Sequence, residues 1–265
     1  MNERIQAELT SLDPDTRRYT EELVSRLRQT LGAKLVGVYL HGSAALGDFT
    51  LTRSDVDVIA VTSTELSDQE RNRLGEELSP AALPCPATGL EFHVVAANTL
   101  AHVTDAPPFE VHFATESREG TERLVDGQGR TGDPDLVMHY AVLRTHGVTL
   151  SGPDVSRVFP NVPRDLLLRA LREELRWASE RGSPSYQLLN AARALRFLDE
   201  GLICSKSEGG LWARAALPDP AVMDAALAHR RGVSESHPDA SAAEAFVHGV
   251  AERLDRAIDA GPRES

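Results

Sequence analysis

The fold is decided by Gly42-Ser43 and, after a spacer of eleven residues, by Asp55-Val56-Asp57. The apolar run from Lys34 to Leu40 (KLVGVYL) leads into the Gly-Ser pair, which predicts a buried strand followed by a turn. A second apolar run, Asp55 to Thr62 (DVDVIAVT), predicts another strand. Because side chains alternate along a strand, Asp55 and Asp57 point the same way and lie about 6.6 Å apart.

A third strand is predicted over Gly89 to Ala97 (GLEFHVVAA), with Glu91 and His93 on one face. If it pairs beside the second strand, Glu91 joins the face of the two aspartates. Three carboxylates would then converge without a countercharge, which is costly unless a cation or a raised pKa relieves them.

This acidic pattern suits a triphosphate and its magnesium. Mg²⁺ prefers oxygen ligands and is commonly held by one or two carboxylates together with substrate phosphates. Gly42 permits close backbone approach, and Ser43 offers a hydroxyl to a phosphate oxygen. Glu91 has a second possible role, since it could take the proton from an attacking hydroxyl. A Gly-Ser turn or a strand glutamate alone is commonplace, but the joint pattern favours phosphoryl or nucleotidyl transfer.

Composition narrows the class of protein. The chain has 265 residues, of which 41% are hydrophobic, enough for one large or two small domains. Its net charge of −12 disfavours nucleic acid as a partner and suits a cationic small substrate, but the charge alone does not decide between such a substrate and a role in solubility. No apolar run is long enough to span a membrane, and the start carries no apolar signal segment. We therefore expect a cytoplasmic protein without membrane contact, and a monomer.

Cysteine and histidine spacing gives no support for a zinc site. Cys85 and Cys204 lie far apart, and His41, His93 and His112 match no zinc signature. For these histidines we expect ordinary packing or hydrogen bonding. Trp177 and Trp212 are expected in the core or between domains.

The two halves of the chain differ in their patterns. Before residue 155, helices are predicted from Asp13-Pro14 to Leu31, over Ser67 to Leu78 and over Asp135 to Thr145. An irregular segment is predicted from Pro107-Pro108, and a Gly-rich loop over Asp126 to Asp133. After Gly152-Pro153 no β-rich run remains, and helices are predicted over Pro163–Arg181, Pro184–Glu200, Pro218–Arg231 and Ala240–Ile258. This change predicts an α/β domain with a mixed sheet and helices over residues 1–155, and an all-α helical bundle over 156–265.

At these motifs the chain resembles the nucleotidyltransferase superfamily related to DNA polymerase beta, whose hallmark is a hydrophobic strand, Gly-Ser, a spacer and Asp-h-Asp. It is similar in particular to the aminoglycoside adenylyltransferases that act on the 3″ or 9 hydroxyls of streptomycin and spectinomycin. The similarity runs from about Leu35 to Trp212. Supporting stretches are Leu90-Glu91-Phe92-His93-Val94-Val95, Asp135-Leu136, Gly147 to Pro153 and Gly201 to Lys206.

The resemblance implies roles for matching residues. Asp55 and Asp57 would hold two magnesium ions, and Glu91 would be both a metal ligand and the catalytic base. ATP would be contacted by Ser43, Ser54 and Asp135, and its phosphates by Arg193 and Lys206. Residues 1–155 would form the nucleotidyltransferase domain, and 156–265 the domain that closes over substrate and nucleotide.

Three departures from the family pattern bear on the acceptor. A Trp of the dual-specificity members is matched here by Glu116, and the loop from Ser179 to Ser183 lacks their Asp. A C-terminal Tyr is replaced by the stretch from Ala228 to Gly232. The first two losses favour spectinomycin and its 9-hydroxyl, or a different amino-sugar, over streptomycin. Candidate carboxylates for a cationic drug are Glu110, Glu116, Glu173, Glu174 and Glu180.

The expected reaction is transfer of AMP from ATP to an antibiotic hydroxyl, with release of pyrophosphate. Two alternatives stay open at this point. The chain could modify another acceptor, such as a protein, tRNA or a metabolite, or it could be a catalytically silent nucleotide-binding module.

Overall fold

The computed structural model describes residues 12–116, 120–217 and 219–261, and it places an α/β unit before a helical one. The chain divides into two compact units, Met1–Asn161 and Val162–Ser265. The predicted fold class is confirmed, with a mixed sheet and helices in the first unit and helices in the second. The assignment of separate functions to residues 1–155 and 156–265 stays a prediction.

One mixed sheet organises the first unit. Its six strands in the described ranges are β1 (Leu35–Leu40), β2 (Val56–Thr62), β3 (Leu90–Ala96), β4 (Val111–Glu116), β5 (Thr121–Asp126) and β6 (Val148–Ser151). Their spatial order is β5-β4-β3-β2-β1-β6. β2 and β3 run parallel, whereas the other neighbouring pairs are antiparallel.

Among the described residues of this unit, the α-helices are α1 (Pro14–Leu31), α2 (Gly42–Ala45), α3 (Asp68–Leu78), α4 (Asp135–His146) and α5 (Val155–Val158). Helix α1 begins after Asp13, whose carboxylate accepts hydrogen bonds from two backbone N–H groups of the first turn. Helix α3 begins with a capping box formed by Ser67 and Glu70.

The two faces of the sheet serve different purposes. Val58 and Phe92 point into the main hydrophobic core, where they pack with α1 and α3 residues such as Leu27 and Leu74. Residues one position along each strand, among them Asp57 and Glu91, therefore lie on the opposite face. The strand alternation thus places Asp57 and Glu91 on the face opposite the main core, next to buried apolar residues such as Ile59 and Val95.

The expectation of an irregular segment after Pro107-Pro108 is wrong. β4 begins at Val111, three residues beyond the second proline, and extends to Glu116, and β5 covers Thr121–Asp126. Its residues alternate between buried Val111 and Phe113 and less buried His112 and Ala114, which is the pattern of a half-covered strand. The prolines end before the strand starts, so they do not remove any of its ladder hydrogen bonds.

The second unit consists of helices. They are α6 (Arg164–Arg181), α7 (Pro184–Glu200), α8 (Lys206–Ala213), α9 (Pro220–Arg230) and α10 (Ala240–Asp259). A core that includes Leu188, Met223 and Ala243 joins α7, α9 and α10. The sequence predicted a helix over Pro218–Arg231, and its first residue, Pro218, lies outside the described residues.

In this unit one helix was missed and one further expectation was wrong. α8 was not predicted, because Gly209 and Gly210 lower its helix propensity. Trp177 is 43% exposed on α6 rather than in a core, whereas Trp212 is half-buried and donates a hydrogen bond to Glu200. Within the described ranges, none of the helices combines the length and apolarity needed to cross a membrane.

Candidate active site

The Gly-Ser turn lies directly against the carboxylate of Asp57. His41 donates its backbone N–H to the Asp57 carbonyl at 2.9 Å, which fixes the turn to β2. Gly42 has φ +60°, and a Cβ at this position would lie 1.8 Å from Asp57 Oδ2. Glycine is therefore required here both for the left-handed backbone and for the close approach of the carboxylate.

Ser43 presents a hydroxyl that suits a ligand oxygen. Its Oγ is buried, yet among the described residues it has no hydrogen-bond partner. Such groups are rare in folded proteins, because an unpaired buried hydroxyl costs free energy. Ser54 is placed differently: it is buried, and its Oγ accepts the backbone N–H of Thr50 at 3.0 Å, so it closes the loop before β2. For both serines, the contact with ATP stays a prediction.

The register of the parallel strands brings Glu91 beside Asp57. The two residues are direct partners in the β2–β3 ladder, so their Cα atoms are separated by about 4.8 Å, the spacing of neighbouring strands. Both side chains are half-buried on the same face. Asp55 precedes β2 and is exposed. The expected pairing of the second and third strands is therefore confirmed.

Glu91 has a hydrogen-bond partner that the sequence did not predict. Its Oε1 accepts a hydrogen bond from His112 Nε2 on the neighbouring strand β4. Burial raises the pKa of Glu91, but the hydrogen bond and charge of His112, together with His93 and His139, outweigh it and hold the pKa below its usual value. Glu91 is thus ionised at neutral pH, as a metal ligand or a proton acceptor must be.

His93 and Asp133 form a second pair behind this contact. His93 Nε2 lies 3.1 Å from Asp133 Oδ2, and the His93 ring stacks on His112 with 4.1 Å between centroids. Burial, only partly offset by Asp133, lowers the pKa of His93 to about 4. Burial raises the pKa of Asp133, but its hydrogen bond with His93 prevails and lowers it to about 2. At neutral pH the pair is a neutral imidazole and a carboxylate.

Sequence reasoning expected packing or hydrogen bonding for His112, which is confirmed, but it did not predict the contact with Glu91 and did not single out Asp133. The alternation of Val111, His112 and Phe113 is a strand signal that could have found the first. Asp133 sits in the Gly-rich loop before α4, where its other carboxylate oxygen accepts the backbone N–H of Asp135 at 3.0 Å. Asp135 itself is exposed as the first residue of α4, and its predicted contact with the nucleotide stays a prediction.

Two sets of donor atoms are candidates for a metal ion. Atoms of Glu91, His93 and His112 lie within 4.8 Å of one another. However, the two imidazole planes are nearly parallel, at 13°, so their in-plane lone pairs do not converge on one ion. The carboxylate oxygens of Asp57 and Glu91, and of Asp55 two residues before Asp57, are of the kind that Mg²⁺ prefers. The three carboxylates are of the chemical type that fits magnesium, and the binding of magnesium by them stays a prediction.

The helical unit gathers two cations around Tyr186. Lys206 Nζ lies 4.1 Å from the centre of the Tyr186 ring, and the Tyr186 hydroxyl donates to Glu174 at 2.8 Å. Arg193 donates from one guanidinium nitrogen to Asn190, and its buried Nε has no hydrogen-bond partner among the described residues. The predicted contacts of Arg193 and Lys206 with phosphates stay predictions.

Most of the carboxylates suggested for a cationic drug already have partners. Glu110 accepts from buried Arg71 at 3.0 Å and from the backbone of Leu66, so it stabilises the first unit. Glu173 and Glu180 pair with Arg176 on the surface of α6. Glu116 is exposed at the end of β4.

Comparison with known proteins identifies the family. A nucleotidyltransferase domain model matches residues 20–95, and a model of the C-terminal domain of aminoglycoside adenylyltransferases matches residues 157–253. A spectinomycin 9-adenylyltransferase of Staphylococcus aureus is 30% identical over 198 residues, covering 72% of this chain and 75% of that protein. The chain belongs to the aminoglycoside adenylyltransferase family. It is accordingly a nucleotidyltransferase, and the resemblance found in the sequence is confirmed.

Two further relatives extend the match over more of the chain. An aminoglycoside (3″)(9) adenylyltransferase of Klebsiella pneumoniae is 26% identical, covering 89% of this chain and 94% of its own length. The crystal structure of spectinomycin adenyltransferase AAD(9) from Enterococcus faecialis, with ATP and spectinomycin, is similar in fold with a TM-score of 0.70. At 17% identity it covers 91% of this chain and 99% of that one. The adenylyltransferase fold therefore extends over both units.

Proposed function

We propose that this enzyme transfers AMP from ATP to a hydroxyl of an aminocyclitol antibiotic, first of all the 9-hydroxyl of spectinomycin, and releases pyrophosphate. The observation that carries the proposal is the alignment of Asp57 with Glu91 beside the Gly42 turn. The printed activities of the relatives, spectinomycin 9-adenylyltransferase and aminoglycoside (3″)(9) adenylyltransferase, support the choice of acceptor class.

Asp55, Asp57 and Glu91 would hold magnesium, as two ions. Bound there, the metal would neutralise charge on the triphosphate and stabilise charge at the attacked phosphorus. Ser43, whose buried Oγ is unpaired among the described residues, would donate to a phosphate oxygen.

The other nucleotide contacts would be polar or cationic. Ser54 and Asp135 would contact ATP in the first unit. Arg193 and Lys206 would supply the positive charge that the leaving pyrophosphate needs.

Glu91 would act as the general base. Its carboxylate takes the proton of the antibiotic hydroxyl while that oxygen attacks the α-phosphorus. The bond between the α-phosphorus and the bridging oxygen breaks, and pyrophosphate leaves with the electron pair. The protein forms no covalent intermediate, so positioning and charge account for the rate.

The choice of spectinomycin follows from what the chain lacks. By the resemblance, Glu116 takes the place of the Trp of the dual-specificity members, and the segment from Ser179 to Ser183, at the end of α6, has no Asp. The net charge of −12 suits a cationic drug and not a nucleic acid. Because the reaction consumes ATP, we place the enzyme in the cytoplasm. We also propose that it acts as a monomer.

The test is a turnover assay with the purified chain, ATP and Mg²⁺. Pyrophosphate release is followed with spectinomycin, streptomycin, other aminocyclitols, RNA and protein as separate acceptors. Release with spectinomycin supports the proposal, and release with streptomycin alone would correct the choice of drug. Release only with RNA or protein would show that the acceptor is a macromolecule and not an antibiotic. No release with any acceptor would favour a silent nucleotide-binding module.

A further inference from the structure

The contact between His112 and Glu91 follows from strand register. Glu91 pairs with Ala114 across the β3–β4 ladder, and His112 lies two residues from Ala114 on the same face. Diagonal neighbours of this kind are within reach of long side chains. An ionised carboxylate only accepts hydrogen bonds, so His112 Nε2 is the donor to Glu91 Oε1. The second carboxylate oxygen of Glu91 is left for other partners.

His112 is itself held on several sides. Its ring stacks on His93, which is its direct partner across the ladder and is fixed by Asp133 at 3.1 Å. Phe109 meets the His112 ring edge-on, with 6.5 Å between centroids. Nδ1 of His112 lies 3.8 Å from Asp133 Oδ2. Only 12% of the His112 side chain is exposed, so the ring has little freedom to turn.

A glutamate needs such a support more than an aspartate does. Asp57 is fixed by the Gly42 turn, whereas the longer Glu91 side chain has one more rotatable bond and higher rotamer entropy. A base that is misplaced by about 1 Å can lose about 100-fold in rate. We propose that His112 is a positioning residue, which holds Glu91 in the orientation from which its second oxygen reaches the acceptor hydroxyl. This role rests on the proposed function.

Four variants test the role of His112. His112→Leu removes the donor, His112→Gln keeps an amide donor of similar reach, and His112→Asn keeps the polarity but is too short. The matched control is His102→Gln, an exposed histidine of the same unit. Steady-state kcat and both KM values are measured with spectinomycin and with any other acceptor that wild type uses, and thermal melting checks the fold.

We expect His112→Leu and His112→Asn to lower kcat by about 10- to 100-fold, the usual effect of losing a partner that orients a ligand. The KM values for ATP and acceptor should stay within about threefold, because substrate binding is not what is lost. His112→Gln should recover most of the rate. If His112→Leu does not fold, the Asn and Gln variants decide the question, since both keep a polar amide.

If the wild-type enzyme is active, either of two results would contradict the positioning role of His112. One is a kcat within about twofold of wild type in His112→Leu or His112→Asn. The other is a Gln variant as slow as the Asn variant, which would show that ring shape matters and not the hydrogen bond. A wild-type chain without turnover on any acceptor would instead overturn the proposed function, and this role with it.

Discussion

The sheet unit and the helical unit hold their candidate site residues by different means. In the sheet, backbone register places Asp57 and Glu91 side by side, and the Gly42 turn lies in close contact with Asp57. In the helices, Arg193 and Lys206 depend on side-chain contacts with Asn190 and Tyr186. Backbone register gives the precision that bond making needs, whereas long cationic side chains adapt to a phosphate. We therefore expect changes in the sheet to lower kcat, and changes in the helices to weaken ATP binding.

The largest effect is expected from Glu91→Gln. The amide can neither take a proton nor match the metal charge, so kcat should fall by about 10²- to 10⁴-fold, the usual contribution of a general base. Binding of ATP, measured by calorimetry with Mg²⁺, should be largely retained. Glu122→Gln is the matched control, because Glu122 is an exposed carboxylate on β5 of the same sheet. Normal turnover by Glu91→Gln would refute the assignment of the base.

Arg193→Gln should produce the opposite kinetic pattern. Loss of a charged hydrogen bond to phosphate costs about 1.5–3 kcal/mol, so the Kd for ATP should rise by about 10- to 100-fold. At saturating ATP, kcat should change far less. Arg196→Gln, one turn further along α7 and paired with Glu200, is the matched control. A lowered kcat with an unchanged Kd for ATP would contradict the hypothesis that the helical unit serves ATP binding and the sheet unit serves catalysis.

Gly42→Ala and Gly47→Ala separate backbone strain from contact with the carboxylate. Both glycines have positive φ, so alanine should destabilise the fold by about 1–2 kcal/mol at either position. Only at Gly42 does the new Cβ meet Asp57, whereas at Gly47 nothing lies within 4 Å. We expect Gly42→Ala to lower kcat by about 10-fold or more and Gly47→Ala to leave it near wild type. Chemical denaturation and turnover assays measure the two effects, and equal activity of both variants would contradict the role of the close contact.

The part of the site that the sequence predicted is the part that local pattern determines. The apolar runs before Gly42 and after Asp55 specify β1 and β2, and the alternation along β2 places Asp57 on the face opposite Val58, whereas Asp55 precedes the strand. The same alternation put Glu91 on the matching face of β3. Because β2 and β3 are parallel and in register, the face assignment was enough to align Asp57 with Glu91.

The rest of the site depends on contacts between residues far apart in sequence. His112 meets Glu91 only because β4 pairs antiparallel with β3, and Asp133 meets His93 across 40 residues of chain. No local period encodes either contact. In the helical unit, Lys206 lies beside Tyr186 because it begins α8. The two glycines of α8 lower its helix propensity, so helix propensity does not predict this helix.

The smallest expected effect compares the two capping boxes. Glu70 of the sheet unit accepts from Ser67 and also from Lys34 at 2.7 Å, whereas Glu208 of the helical unit accepts from the Ser205 backbone at 3.0 Å. Burial raises the pKa of Glu70, but the hydrogen bonds from Lys34 and Ser67 outweigh it and lower the pKa to about 2. Because the folded state favours the ionised form, this stabilisation is complete above the unfolded pKa of about 4.3 and is lost as the pH falls towards 2.

Glu70→Gln should therefore lower the free energy of unfolding by about 1 kcal/mol at pH 7, a modest value because the pair is partly solvated. The difference from wild type should shrink as the pH falls below about 4.3. Urea unfolding at several pH values measures it, with Glu208→Gln as the capping control that lacks the lysine contact. A difference that stays constant down to pH 3 would show that the cap, and not the charge pair with Lys34, accounts for the stabilisation. Since Lys34 belongs to the turn that precedes β1, the charge pair would then add nothing to the anchoring of the sheet on which Asp57 and Glu91 are aligned.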